Sequence, residues 1–98
     1  MLTIRMTPKF ETWLKGLKDR RAAIRILDRI VRAEGGHLGD VKPVGEGVSE
    51  MRITYGPGYR LYFIRSGNVV IVLLCGGDKS TQRKDITEAK RLAKDWKD

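Results

Sequence analysis

Two arginines, Arg52 and Arg60, and the lysine that follows a glycine pair, Lys79, are the residues of this chain best suited to chemistry. Arg52 and Arg60 stand on either side of Gly56-Pro57-Gly58, so they belong to adjacent antiparallel segments joined by a short turn. A guanidinium stays charged at physiological pH and donates in a planar fork. It therefore suits a phosphate clamp and cannot serve as an ordinary base. Other chemistries are poorly served. One histidine, His37, and one cysteine, Cys75, cannot make a zinc site, and carboxylates do not recur at ligand spacing, so neither metal nor other cofactor is expected. The glycines between Gly35 and Gly47 lack the Gly-Lys-Ser/Thr ending that cradles a phosphate. A hydrolytic triad would have to use His37 from that loop, with no nucleophile elbow to serve it.

The elements that must position these cations can be read from periodicity and turn chemistry. Leu2, Ile4 and Met6 alternate with Thr3 and Arg5 as in a strand, and Thr7 before Pro8 is a helix start. Phe10, Trp13, Leu14 and Leu17 give a helix from about Pro8 to Leu17. A second helix, about Asp19 to Glu34, places Ala23, Ile26, Leu27, Ile30 and Val31 on one face and is stopped by Gly35-Gly36. The two are expected to form an antiparallel hairpin. Arg21, Arg25, Arg29 and Arg32 then form an exposed stripe, open to phosphate or to an acidic partner.

Gly35 to Gly47 reads as a loop. Three strands follow, about Val48 to Tyr55, Tyr59 to Arg65 and Val69 to Gly76, and the last, apolar on both faces, is expected at the centre of the sheet. Asp85 with Glu88 resembles a capping box for a final helix that starts at Thr81 or Asp85 and carries Ile86, Ala89, Leu92, Ala93 and Trp96 on its apolar face. The order predicts an α+β fold, with helices on one face of a mainly antiparallel sheet and the other face partly open.

Composition sets the class of partner. The chain has 98 residues, the size of a single domain, and 20 Lys and Arg against 12 Asp and Glu give a net charge of +8. Such a surface favours a polyanion, RNA above all, or an acidic protein. The longest apolar run, Val69 to Cys75, is far too short to cross a membrane, and no secretory signal is visible at the N-terminus. A lone cysteine in an apolar run fits a buried thiol and a cytoplasmic location.

The run EMRITYGPGYRLYF, Glu50 to Phe63, is followed after one strand by GGDKSTQ, Gly76 to Gln82. In order, spacing and total length this resembles the RelE/ParE superfamily of type II toxin–antitoxin toxins, and within it the HigB-like branch of addiction-module killer proteins. The likeness extends from the first strand through Phe10-x-x-Trp13-Leu14 to the closing helix. It implies one RelE/ParE-like toxin domain over residues 1–98, of order β-α-α-β-β-β-α. It also implies an endoribonuclease that cuts messenger RNA, commonly on the translating ribosome, and is silenced by a cognate antitoxin.

Cleavage through the ribose 2′-hydroxyl needs cations around the phosphate and a proton for the departing 5′-oxygen. Arg60, in Gly58-Tyr59-Arg60, matches the place where the family carries a catalytic arginine, and Lys79 falls where members place a second cation, a candidate proton donor or acceptor. Tyr62 is the third catalytic candidate, for base stacking or proton transfer. Arg52, Tyr55, Gln82 and Arg83 are the expected substrate contacts. The chain departs from some RNase members in having no tyrosine in the final helix region, where Asp85 and Ile86 stand, so the general acid and base stay open. His37 could take part only if its loop folds over the sheet. Two other readings remain: a ParE-like DNA gyrase inhibitor and a non-catalytic RNA-binding module. An acidic antitoxin segment could be received by the arginine stripe or by the cleft itself.

Overall fold

The computed structural model describes residues 1–96. Strand β1 (Thr3–Met6) leads into helices α1 (Pro8–Lys15) and α2 (Arg20–Glu34), then strands β2 (Val41–Gly45), β3 (Val48–Ile53), β4 (Tyr59–Ser66) and β5 (Val70–Gly77). A 3-10 turn (Lys79–Thr81) then runs into α3 (Gln82–Asp95). The five strands make one mixed sheet in the order β1-β5-β4-β3-β2, with β1 parallel to β5 and the other pairs antiparallel.

The expectation of an α+β fold holds, but five features differ from the sequence reading. The expected glycine loop contains an edge strand, β2, paired with β3. Pro43 is tolerated there because an edge strand need not donate on its outer side. Gly45, Glu46 and Gly47 turn the hairpin with φ of 104°, 54° and 79°, and Glu46 is the one described residue other than glycine held at positive φ.

The helices also cover both faces of the sheet, not one. α1 and α2 enclose Phe10, Ile26, Ile30, Met51, Leu61, Phe63, Ile71 and Leu73 on one side. α3 covers Val48, Tyr62, Val72, Leu74 and Cys75 on the other, with Ala89, Ile86 and Leu92 facing them. This explains the unbroken apolar run of β5, which marks a strand buried on both faces rather than the middle of the sheet. The middle strand is β4.

On α2 the residues that reach the core are Ala22, Ile26, Ile30 and Ala33, whereas Leu27 and Val31, read as core, are exposed. The helix rests on its 22-26-30-33 row, and Leu27 and Val31 lie around the cylinder from it.

A bulge in β5 ties the two layers together. Tyr62 pairs with Cys75 and Phe63 with Leu73, which leaves Leu74 extra. The hydroxyl of buried Thr7 donates to the Leu74 carbonyl (2.5 Å), the Thr7 N–H donates to the Leu73 carbonyl (3.0 Å), and the same hydroxyl accepts from the Phe10 N–H (3.0 Å) as N-cap of α1. One side chain thus satisfies a bulge carbonyl and a helix amide. Past the bulge, a Cβ on Gly76 would stand 2.4 Å from the Trp13 ring, so only glycine admits that indole against β5. Asp85 is not the cap of α3; it lies inside the helix and accepts from the Thr81 hydroxyl (2.5 Å).

Thr7→Val should lower the unfolding free energy by about 2–3 kcal/mol, read by urea denaturation, since a buried carbonyl and an amide lose their partner together. A pH effect is expected at α3. Arg91 and Lys9 both donate to Glu88 and hold its carboxyl down at about 2. A depressed carboxyl stabilises the fold above its ordinary pKa and loses that contribution as pH falls from about 4.5 toward 2. Glu88→Gln should therefore melt below the parent at pH 6, by no more than about 1 kcal/mol for so exposed a cluster, and converge with it near pH 2.

Candidate functional site

β3 and β4 bring Arg52 and Arg60 directly opposite each other. Alternation along the strands sets both on the face that carries buried Glu50 and Tyr62, the α3 side. α3 does not extend over this end of the sheet. A cleft of about 280 Å³ remains, lined by Asp40, Arg52, Thr54, Gly58, Arg60 and Lys79 among others.

Like charges directly opposite in a ladder repel, and each arginine has a carboxylate to offset this. Asp40 accepts from Nη2 of Arg52 at 2.8 Å. Arg52 holds the Asp40 carboxyl below the usual range, and Asp40 raises the guanidinium in return. Glu50, only 2% exposed, lies 3.9 Å from Nε of Arg60, whose side chain is 13% exposed. The Glu50 carboxylate also accepts from Nε2 of Gln82 at 2.9 Å, which fastens the start of α3 to β3.

Arg60 is further held by its Nη1, which donates to the Gly58 carbonyl at 2.7 Å. Gly58 has φ of 79°, and a Cβ there would meet Arg60 Nη1 at 3.2 Å, so glycine serves both the turn and the close approach of the guanidinium. The N–H of Lys79 donates to the Pro57 carbonyl (3.3 Å), which pins the Lys79 backbone to the same turn and leaves its ammonium exposed at the rim.

Of the residues expected in the site, Arg52, Arg60 and Lys79 therefore converge on one cleft. Gln82 stands behind it, on Glu50. Tyr62 is fully buried beneath α3, its hydroxyl has no hydrogen-bond partner among the described residues, and burial pushes its pKa up, so its ring is not placed to stack a base in this structure. Tyr55 faces α2, donating to Asp19 (3.1 Å) with the Arg25 guanidinium over its ring. Arg83 and His37 are exposed and do not line the cleft.

Of the arginine stripe, Arg29 is turned inward and bonds the carbonyls of Arg52 (2.6 Å) and Leu38 (2.9 Å), a structural clamp rather than a free cation. Cys75 is buried as expected, and its thiol is pushed up to about 12 by burial. Sequence reasoning missed Asp40 as the counter-charge of Arg52. Glu50 is legible as a carboxylate within reach of Arg60, because it alternates in register with Arg52 on the neighbouring strand.

Among the described residues no cluster of His, Cys, Asp and Glu could hold a metal ion. The cleft can grip a phosphate between guanidinium forks and set an ammonium beside it.

Glu50→Ala should destabilise the fold by about 3 kcal/mol in denaturant titration, since it strands a largely buried arginine. With Gln82→Ala the two losses should fall short of their sum, because the partners share one interaction.

A second chain, an uncharacterized protein of Haemophilus influenzae, is 48% identical over 94 residues, covering 96% of this chain and 95% of its own. Among solved structures, the solution structure of the conserved hypothetical protein HP0894 of Helicobacter pylori is 17% identical, with a TM-score of 0.47 over 82% of this chain and 97% of that one. The family described as Phage derived protein Gp49-like (DUF891) matches residues 12–97. The chain belongs to this Gp49-like family, which is associated with toxin–antitoxin systems and related to the RelE/ParE-type toxins.

Proposed function

We propose that this protein is the toxin of a type II toxin–antitoxin pair, of the HigB-like kind. It acts as a metal-independent endoribonuclease on messenger RNA at the translating ribosome and is held in check by a cognate antitoxin. The observation that carries this reading is the convergence of Arg52, Arg60 and Lys79 on one open cleft, with Arg60 buried enough to be pre-aimed. Cations fixed before substrate arrives stabilise developing phosphate charge without reorganising, and this is worth more in a partly dry site than in water.

In the proposed reaction the 2′-oxygen attacks the adjacent phosphorus and the bond to the 5′-oxygen breaks, leaving a 2′,3′-cyclic phosphate and a 5′-hydroxyl. Arg60 and Arg52 hold the non-bridging oxygens. The ammonium of Lys79 protonates the departing oxygen, the 2′-hydroxyl proton passes to water, and Lys79 recovers its own proton from solvent. Asp40 is the residue a phosphate must displace from Arg52, since their pair lies at the surface and is readily exchanged.

A second reading, RNA binding without cleavage, is favoured by one observation: among the described residues the only carboxylate lining the cleft, Asp40, is engaged by Arg52. The products decide between them. Translating ribosomes given the purified protein should yield fragments ending in 2′,3′-cyclic phosphate, and Arg60→Ala should slow their formation by about 10²–10³-fold with the fold intact. Lys79→Ala should reduce cleavage more than RNA affinity, because a proton donor acts in the transition state and an anchor in both states. RNA affinity of the parent should fall steeply between low and physiological salt. Bound but uncut RNA would establish the binding module, and intact RNA with lost DNA supercoiling the gyrase inhibitor.

A further inference from the structure

α2 carries a second apolar row that the core does not use. Ile24 is 66% exposed, Leu27 47% and Val31 64%, three of the five exposed large apolar side chains among the described residues. At spacings of three and four they form one continuous strip along the helix. Isolated apolar residues on a surface need no explanation, but a contiguous strip rimmed by charge marks an interaction site.

Basic charge runs along one side of the strip and stands at its N-terminal end, where exposed Arg20 lies four residues before Ile24. Arg21, Arg25 and Arg32 follow one flank of the strip, with Asp28 between them paired to Arg32 at 3.0 Å. The opposite flank begins at Ala23 and Glu34, toward the sheet. Beside the basic flank lies a depression of about 390 Å³ lined by Ile24, Arg25, Asp28, Arg29, Ile53 and Thr54 among others. Ile53 and Thr54 also line the Arg52–Arg60–Lys79 cleft, so the two depressions share a wall.

We propose that this strip receives an amphipathic helix of a protein partner, with aliphatic residues seated on Ile24, Leu27 and Val31 and a row of Asp or Glu along the Arg21–Arg25–Arg32 flank. Charge argues for an acidic protein: at +8 a second copy of this chain is repelled, whereas an acidic helix is attracted over both the rim and the adjoining cleft. The proposal rests on the toxin–antitoxin reading only for the identity of that partner, the antitoxin. It adds the docking face and a route to inhibition, because a partner seated on the strip and continued past Thr54 reaches the rim of the cleft.

The test uses the full chain and a synthetic helix of about 20 residues, long enough to fold on contact, with Leu along one face and Glu along one flank. Binding is read by fluorescence anisotropy. The helix should bind the parent, and affinity should fall at least about tenfold for Ile24→Ser with Val31→Ser and for Arg21→Glu with Arg25→Glu. It should also fall when Lys replaces Glu in the probe. These substitutions are at exposed positions, and unchanged circular dichroism and melting would show that the fold persists. The bound helix should also reduce the affinity of an oligoribonucleotide for the parent. Equal binding by parent and variants, absence of binding to the parent, or a dimer in sedimentation that Ile24→Ser with Val31→Ser abolishes would each overturn the proposal. A protein that binds the helix but cuts no RNA would refute the nuclease reading and leave the docking face standing.

Discussion

Two arginines facing each other across an antiparallel ladder are a cost that the rest of the molecule is arranged to offset. Arg52 is met at the surface by Asp40 and Arg60 in the interior by Glu50. A carboxylate as enclosed as Glu50 is tolerable only with good partners, and Gln82 supplies one. The start of α3 is thereby set against β3, and with it the 3-10 turn that carries Lys79. Asp40 stands just ahead of β2, and Arg29 bonds the Arg52 carbonyl next to it, so α2 and the β2 edge are drawn to the same end of the sheet. The cleft is what these compensations leave open.

The two arginines differ in readiness. Arg52 shares an exposed pair that solvent and anions can open, while Arg60 is confined by Gly58 and Glu50 and has little freedom to lose on meeting a phosphate. Holding one cation still and leaving the other exchangeable would combine a low ordering cost for a bound phosphate with its easy release.

Much of this was legible in the sequence. Thr7-Pro8 and Asp19 mark helix starts that the structure keeps, and Gly56-Pro57-Gly58 brings Arg52 against Arg60. What escaped depends on contacts distant in the chain. β2 hides among glycines because an edge strand needs few apolar residues and tolerates Pro43. The side of the sheet that α3 covers is decided by packing of Ala89 and Ile86, which periodicity along α3 alone does not orient. Leu27, Val31 and Arg29 were assigned to the wrong environments because a helical wheel with apolar residues on more than one side does not say which row meets the sheet. Tyr62 was legible as a strand aromatic but not as one sealed under a helix.

The parallel pairing of β1 with β5 also governs the order of events during synthesis. Thr3 waits for Val70, and the Thr7 hydroxyl for the Leu74 carbonyl, contacts separated by 67 residues along the chain. Loop closure of that length is entropically costly and slow to nucleate, so the first strand must remain unpaired until residues 70–74 have left the ribosomal tunnel. Because Lys79 and Gln82 lie later still, Arg52, Arg60 and Lys79 cannot be assembled until those residues too have emerged. Maturation is thus delayed by topology alone, which gives any partner that recognises α2, a local element able to form early, an interval in which to engage the chain before the cleft exists.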